Sequence, residues 1–496
     1  MSKKLKVVLF HTSSSGSNTY FLYHQFPQEL RDKYEVRLVS QEELMRDPSI
    51  NNGNVFITTH GEYPSSPDKV NIELWHGFPL KGMNNMDVES NVSFEAVMKY
   101  TTHLNLVASY SGLYNTLYSA CMGVNVNQYA ITGMPRNDAL FYPNSHEQLY
   151  KMFPDLRNKK TLFFMPTFRK SALKPDVEGN KNFSNPFGFD DFDLERFTAF
   201  LRQNDLSLVL KLHPFEERYF LRQLAEWRLA GIHLITDGLL KQNQLDLYEV
   251  LGAADLLITD YSSVYFDYLI LDRPILFVPT DLEAYQSNRG MLLQPYEFWS
   301  PGAKALNQSE LEHAILDAIQ DPDAYSSQRK LIRDLTHKYT DNRASERLWS
   351  EIDQCIDRHL LEQKEKEENI MIASSIKSTI SQKIEQGELK SAKETLQELV
   401  NIIKLDAEIC SMKAIIELLE GNSKQAIDTL RDGDRKFPDH PDIIYNLAYC
   451  HESINDYPSA AHYYRLLLKI TTNTELLTTV QERLEFINQQ SNEVMS

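Results

Sequence analysis

The sequence predicts two α/β domains in series followed by an all-helical region. Three observations predict it. Short apolar strand-like runs alternate with helical patterns through roughly the first 150 residues, the same alternation then restarts, and beyond about residue 325 the strand-like runs stop and small residues recur at a fixed 34-residue step.

The first series has strand candidates at Leu5–Phe10, Tyr34–Val39, Val55–Thr59, Asn71–Trp75, Leu104–Ala108 and Tyr129–Thr132. Helical patterns such as Tyr20–Arg31 and Phe94–Tyr100 lie between them. Strands that alternate with helices in this order build a mostly parallel, doubly wound sheet. The second series places strands at Thr161–Met165, Leu206–Leu212, His233–Thr236, Leu256–Thr259 and Ile275–Val278, with helices at Asp193–Gln203, Glu216–Ala230 and Asp246–Ala253. The expected boundaries are 1–155 and 156–330 for the two α/β domains, 331–375 for a helical return segment and linker, and 376–490 for the repeats. Lys170–Asp191 is rich in Pro, Gly, Asn and Phe, lacks periodicity, and is long enough to be a functional loop.

In the helical region Ala392, Ala426 and Ala460 are 34 residues apart, as are Gly387, Gly421 and Asn455, and Leu396, Leu430 and Tyr464; Ala414 and Ala448 repeat once. This period, with small residues where helices cross, is the tetratricopeptide signature. Such arrays bind protein partners on a concave face, or else pack on their own body or self-associate. The charge run EQKEKEEN at Glu362–Asn369 reads as a solvated helix end or linker.

Composition narrows the function classes. A net charge of −18 argues against nucleic-acid binding. Cys121, Cys355, Cys410 and Cys450 are widely spaced, with no CxxC pair, so neither a zinc site nor a disulfide framework is expected and a reducing cytoplasm fits. No apolar run reaches the roughly 18 residues of a membrane span. The apolar stretch near the N-terminus is read as the first buried strand, not a signal peptide.

Five stretches carry chemistry. In LLITDYSSVYFDY, Leu256–Tyr268, a buried strand ends in Asp260 and the pair Ser262–Ser263, and an apolar helix follows. Two hydroxyls at a helix start suit a phosphate, and equally an ordinary N-cap. ELWHGFPLKGM puts His76 on a strand-end loop with Lys81 close behind, as a general base or as a core histidine beside Trp75. LVLKLHPFEE ends a strand in Lys211 and His213, ITGMPRND presents Arg136 from a turn, and FFMPTFRK places Arg169 after a strand. Each of these three is an anion contact or a solvated loop charge. All lie just after predicted strands, where such a fold gathers ligand-binding loops. The P-loop lysine motif, the GxGxxG fingerprint, HExxH and a two-metal carboxylate cluster are absent from the sequence.

WHGFPLK, GMPRND, MPTFR, KLHP and ITDYSSVYFDY resemble, in this order, the motifs of the CDP-glycerol glycerophosphotransferase family of teichoic-acid and capsule polyol-phosphate transferases. The resemblance covers roughly residues 50 to 330, and RPILFVPTDLEAYQSNRG, Arg273–Gly290, continues it. It implies a GT-B architecture, with an acceptor-side N-terminal domain and a CDP-donor domain after it. It also implies transfer of glycerol phosphate or ribitol phosphate from a CDP-activated donor to a lipid-linked or growing cell-envelope polymer, with release of CMP. By motif, His76 would be the base, and His213 would hold the donor diphosphate together with Ser262 and Ser263. Arg136, Arg169 and Lys211 would meet donor phosphate; Asp260 and Lys81 would support the site. No metal and no cofactor is expected. The resemblance places the enzyme in the cytoplasm, peripheral at the inner face of the membrane, although no basic amphipathic docking helix is legible near the N-terminus. Two further readings stand beside it: a GT-B nucleotide-sugar glycosyltransferase, and a scaffold acting through its repeats.

Overall fold

The computed structural model describes residues 3–87, 93–169, 179–217 and 220–493. They form two compact units, Met1–His359 and Leu360–Ser496.

The first unit contains two six-stranded sheets, parallel throughout. Sheet one comprises β1 Leu5–Phe10, β2 Tyr34–Val39, β3 Val55–Thr58, β4 Val70–Glu73, β5 Leu104–Ser109 and β6 Tyr129–Ile131, in the order β2-β1-β3-β4-β5-β6. Sheet two comprises β7 Lys160–Phe164, β8 Leu206–Leu210, β9 His233–Leu234, β10 Leu256–Thr259, β11 Ile275–Phe277 and β12 Ala303–Lys304, in the order β12-β11-β10-β7-β8-β9. Helices cover both faces of parallel sheets, so their strands read as unbroken apolar runs. Val7, Val8, Leu9 and Phe10 of β1 are all buried, as are Leu256, Leu257 and Ile258 of β10. One large core runs from Val7 and Leu9 through Phe163 and Leu257 to Trp349. A second core, with Phe164, Phe187, Trp227 and Leu276, lies against sheet two.

Strand order reverses between β1 and β3 in sheet one, and between β7 and β10 in sheet two. Such switch points open a crevice at the carboxyl ends of the strands. The segment Tyr20–Arg31, expected as one helix, is a helix at Asn18–His24 followed by a short turn of helix at Gln28–Leu30. Pro27 lies between the two and has no N–H to continue the first. Two-residue β12 was too short to show as a pattern. Of Lys170–Asp191, residues 170–178 lie outside the described residues.

After sheet two the chain returns to the first domain. Asp138 accepts the N–H groups of Ala344 and Ser345 at 2.8 and 2.9 Å, at the start of helix Ala344–Glu385. Buried Trp349 then donates its indole N–H to the carbonyl of Leu22 at 2.9 Å. The run Glu362–Asn369 is helical, because Glu, Lys and Gln are good helix formers and neither Gly nor Pro interrupts them.

In the second unit, helices Leu389–Ile402, Ala407–Leu419, Ser423–Lys436, Pro441–Ser453, Tyr457–Ile470 and Thr474–Glu493 pack each on the next. The 34-residue step has a direct structural counterpart. Ala392, Ala426 and Ala460 are all fully buried, as are Ala414 and Ala448. Gly387, Gly421 and Asn455 all take left-handed φ, at 76°, 86° and 61°, where one helix turns into the next. Among the described residues, no helix is long and apolar enough to cross a membrane.

Candidate active site

The loops after β1, β4 and β6 of sheet one meet those after β9, β10 and β11 of sheet two. Sequence-distant hydrogen bonds join them. Asp246, fully buried, accepts the N–H groups of Gly16 (3.0 Å) and Ser17 (3.1 Å), and Asp237, just after β9, accepts from the Ser15 hydroxyl at 2.8 Å. Segment 80–82 pairs with 290–292 through a Lys81–Met291 bridge.

On the first side, β4 ends at Glu73 and the chain turns sharply through Trp75, whose φ is +52°. Glu73 stabilises that turn: it is buried and accepts from Trp75 N–H (2.7 Å), the Thr58 hydroxyl (2.7 Å) and Gly61 N–H (3.3 Å). The turn exposes the His76 ring along the seam between the sheets. His76 Nδ1 lies 2.9 Å from the carbonyl of Thr59. A carbonyl only accepts, so Nδ1 carries the proton and Nε2 presents a lone pair. Close-packed protein, the neighbouring His60 and the Arg136 guanidinium hold this imidazole well below its ordinary pKa. His76 is therefore neutral at pH 7. The ring itself meets solvent along the seam.

Next to it, Gly77 allows a close approach between the domains. A Cβ there would stand 2.6 Å from Ser263 Oγ. This places the WHG loop directly against the serine turn after β10. Ser263 precedes helix Val264–Tyr268, yet its side chain caps none of that helix's N–H groups. Both serines are half-buried.

On the same side, His213 follows β8, half-buried with Phe168 at 4.5 Å between ring centres. Burial and the Lys211 ammonium push it down to about 4, and Lys81 and His60 act in the same direction. Lys211 is buried, with its Nζ 3.0 Å from Asp237 and 3.6 Å from Glu217. Lys81 lies over the Tyr285 ring at 5.8 Å.

The two arginines, which the sequence assigned to donor phosphate, are both buried on protein partners. Arg169, 1% exposed, is clamped between Tyr261 and Tyr285 and donates to Asp260 (3.0 Å), to both oxygens of Asp281 (2.8 and 2.9 Å) and to its own loop at the Thr167 carbonyl (2.6 Å). Asp260 also accepts from Thr167 N–H at 2.7 Å. Burial pushes its carboxyl up, but Arg169, Lys181 and the Thr167 hydrogen bonds together hold it below the usual range. Arg136, also buried, donates to Asp267 (2.5 Å), to the Tyr110 hydroxyl (3.2 Å) and to the carbonyls of Gly16 (3.2 Å) and His76 (2.7 Å). Buried cations need such partners. In this geometry Arg136, Arg169 and Lys211 order the loops, while His76, His213, Ser262, Ser263 and Lys81 line the seam.

Sequence reasoning missed His60 and Glu62. The signal was present: THGE directly follows β3, the same strand-end position that singled out His76. The ring of His60 stacks on His76, and Glu62 anchors its loop. Among the described residues, no group of three His, Cys, Asp or Glu side chains is placed to hold a metal ion.

The family model for CDP-Glycerol:Poly(glycerophosphate) glycerophosphotransferase matches residues 15–354. The teichoic acid ribitol-phosphate polymerase TarK of Staphylococcus aureus is 25% identical over 372 residues, covering 70% of this chain and 68% of that protein. For TarL of the same organism the identity is also 25%, and the match spans 62% of its length. The teichoic acid glycerol-phosphate primase of Bacillus subtilis is 27% identical over 334 residues, 66% of this chain and 79% of that one. The solved structure of the wall teichoic acid polymerase TagF superimposes with a TM-score of 0.55 at 19% identity, over 71% of this chain and 90% of that chain. That likeness shows a shared GT-B-like α/β fold. With the family model matched over residues 15–354, the chain belongs to the CDP-glycerol:poly(glycerophosphate) glycerophosphotransferase family.

Proposed function

We propose that this protein transfers glycerol phosphate or ribitol phosphate from a CDP-activated donor to a hydroxyl of a lipid-linked or growing cell-envelope polymer, releasing CMP. The observation that carries this reading is a neutral His76, its Nδ1–H fixed on the Thr59 carbonyl, lying beside the Ser262–Ser263 turn across Gly77.

His76 Nε2 takes the proton of the acceptor hydroxyl, and the oxygen attacks the β-phosphorus of the donor. The bond from that phosphorus to the bridging oxygen breaks, and CMP leaves with the electron pair. Ser262 and Ser263 donate to the diphosphate, and a half-buried site gives each such contact more weight than water would. Donor phosphates arriving beside His213 raise its pKa, so it becomes a cationic partner for them. Arg136 holds the His76 carbonyl, and Arg169 with Asp260 holds the loops that carry the serines.

The test is CMP release by the purified chain, offered CDP-glycerol and CDP-ribitol separately, with and without a lipid-linked polyol-phosphate acceptor. Acceptor-dependent CMP from one donor supports the reading and identifies the polyol; none from either donor rejects it. In the active pairing, His76→Ala is expected to lower turnover at least about 100-fold, the usual contribution of a positioned base, with an unchanged circular dichroism spectrum.

A lipid-linked acceptor requires the enzyme to work at the inner face of the membrane. We assign the repeat unit to docking on a protein partner there. Deleting residues 361–496 is expected to lower membrane association and polymer output in cells; unchanged values for both reject the assignment.

A further inference from the structure

A second imidazole stands against His76, and the reaction outlined above does not use it. His60 follows β3, and its ring lies face to face with that of His76, centroids 4.0 Å apart and planes 2° from parallel. The Trp75 indole packs on His76 at 4.2 Å.

Thr59 sets the tautomer of both rings. Its carbonyl accepts from His76 Nδ1. Its hydroxyl donates to Glu62 Oε1 at 2.9 Å, so toward His60 Nδ1, 2.8 Å away, that oxygen accepts. His60 therefore also keeps its proton on Nδ1, and each ring is left with Nε2 as its basic nitrogen. Glu62 anchors the loop. It accepts from the Thr12 hydroxyl (2.6 Å), Thr59 N–H (2.9 Å) and His60 N–H (2.9 Å), tying the end of β3 to the loop after β1 across the switch point of sheet one. The His60 ring is itself exposed.

We propose that His60 is a positioning residue for His76: its stacked ring fixes the plane of the base and opposes a second positive charge at stacking distance, so that His76 stays in its proton-accepting form. The consequence for turnover rests on the transfer reading above; the relation between the two rings does not.

The charged groups that bear on His76 come from several elements. His60 and Arg136, the latter from the segment after β6, oppose its protonation, while Glu62 favours it. His213, from sheet two, is in turn lowered by His60. Glu73 lies buried behind the turn.

The test uses the full chain with 13C-labelled histidine, following the imidazole resonances through a pH titration. The His76 resonance is identified by its loss in His76→Asn. His60→Phe keeps a stacked ring without charge, and His60→Ala removes both. The His76 midpoint is expected to rise by about one pH unit in His60→Phe, and the acid limb of kcat to move upward with it, while kcat at pH 8 stays near wild type. In His60→Ala, kcat at pH 8 is expected to fall about tenfold or more, with the donor KM little changed. An unchanged His76 midpoint in His60→Phe overturns the charge relation, and wild-type kcat in His60→Ala overturns the positioning role. If wild-type protein releases no CMP from either donor, it is the transfer reading that fails, and the titration still decides whether His60 governs His76.

Discussion

Asp267→Ala removes the centre of a buried network that joins the two sheet domains. Asp267 is fully buried and accepts from Arg136 (2.5 Å), the Tyr248 hydroxyl (2.6 Å) and the Tyr110 hydroxyl (2.9 Å). Arg136 and Tyr110 belong to the first domain, Asp267 and Tyr248 to the second. The substitution leaves a guanidinium and two phenols buried without their acceptor. Breaking a buried ion pair by removing one partner costs about 3–5 kcal/mol. The first compact unit has 359 residues, Met1–His359. At about 2.1 cal/mol/K per residue, its unfolding entropy is about 0.75 kcal/mol/K if it melts as one body. The expected fall in Tm is therefore about 4–7 °C. Glu147→Ala is the control. Its pair with Arg157, at 3.2 Å, has both side chains more than half exposed, and exposed pairs contribute about 0–1 kcal/mol, or little more than 1 °C here. Differential scanning fluorimetry on both variants distinguishes the cases. A second readout is turnover: Arg136 also holds the His76 carbonyl, so kcat falls in Asp267→Ala and not in Glu147→Ala. A Tm within about 1 °C of wild type for Asp267→Ala would refute the claim that this network ties the domains together.

Two further perturbations follow from the same geometry. Gly77→Ala places a methyl against Ser263 Oγ and Arg136, so the WHG loop or the serine turn must shift; kcat for CMP release is expected to fall about 10- to 100-fold with the fold retained, and wild-type kcat would show that the two loops do not need this contact. Glu73→Gln tests the pH dependence of stability. Burial and the Glu62 carboxylate raise the folded pKa of Glu73 to about 7, above its ordinary 4.5. The stability tied to its proton is thus complete below about pH 4.5 and is lost as the pH rises through about 7. Glu73→Gln carries no such proton, so its Tm should decline less than wild type between about pH 5 and pH 8; parallel Tm curves over that window count against the assignment.

What the sequence determined by itself is local and periodic. Buried parallel strands must be apolar without interruption, so Leu5–Phe10 and Leu256–Thr259 were legible residue for residue. The helical hairpins repeat because each must bury the same small residues, and Ala392, Ala426 and Ala460 declared that period. Loops after strands carry ligands in doubly wound folds, so His76, His213 and the serine pair could be picked out from position alone. Tertiary structure decided which charged groups are available and which are bound. Arg136 pairs with Asp267, Arg169 with Asp260 and Asp281, and Lys211 with Asp237, every partner far away along the chain. The His60–His76 stack likewise exists only because β3 and β4 are neighbours in the sheet. Burial leaves a periodic trace in sequence because it acts on every residue of an element. The partner of a buried charge leaves none, since it is chosen by whatever distant loop the fold brings within 3 Å.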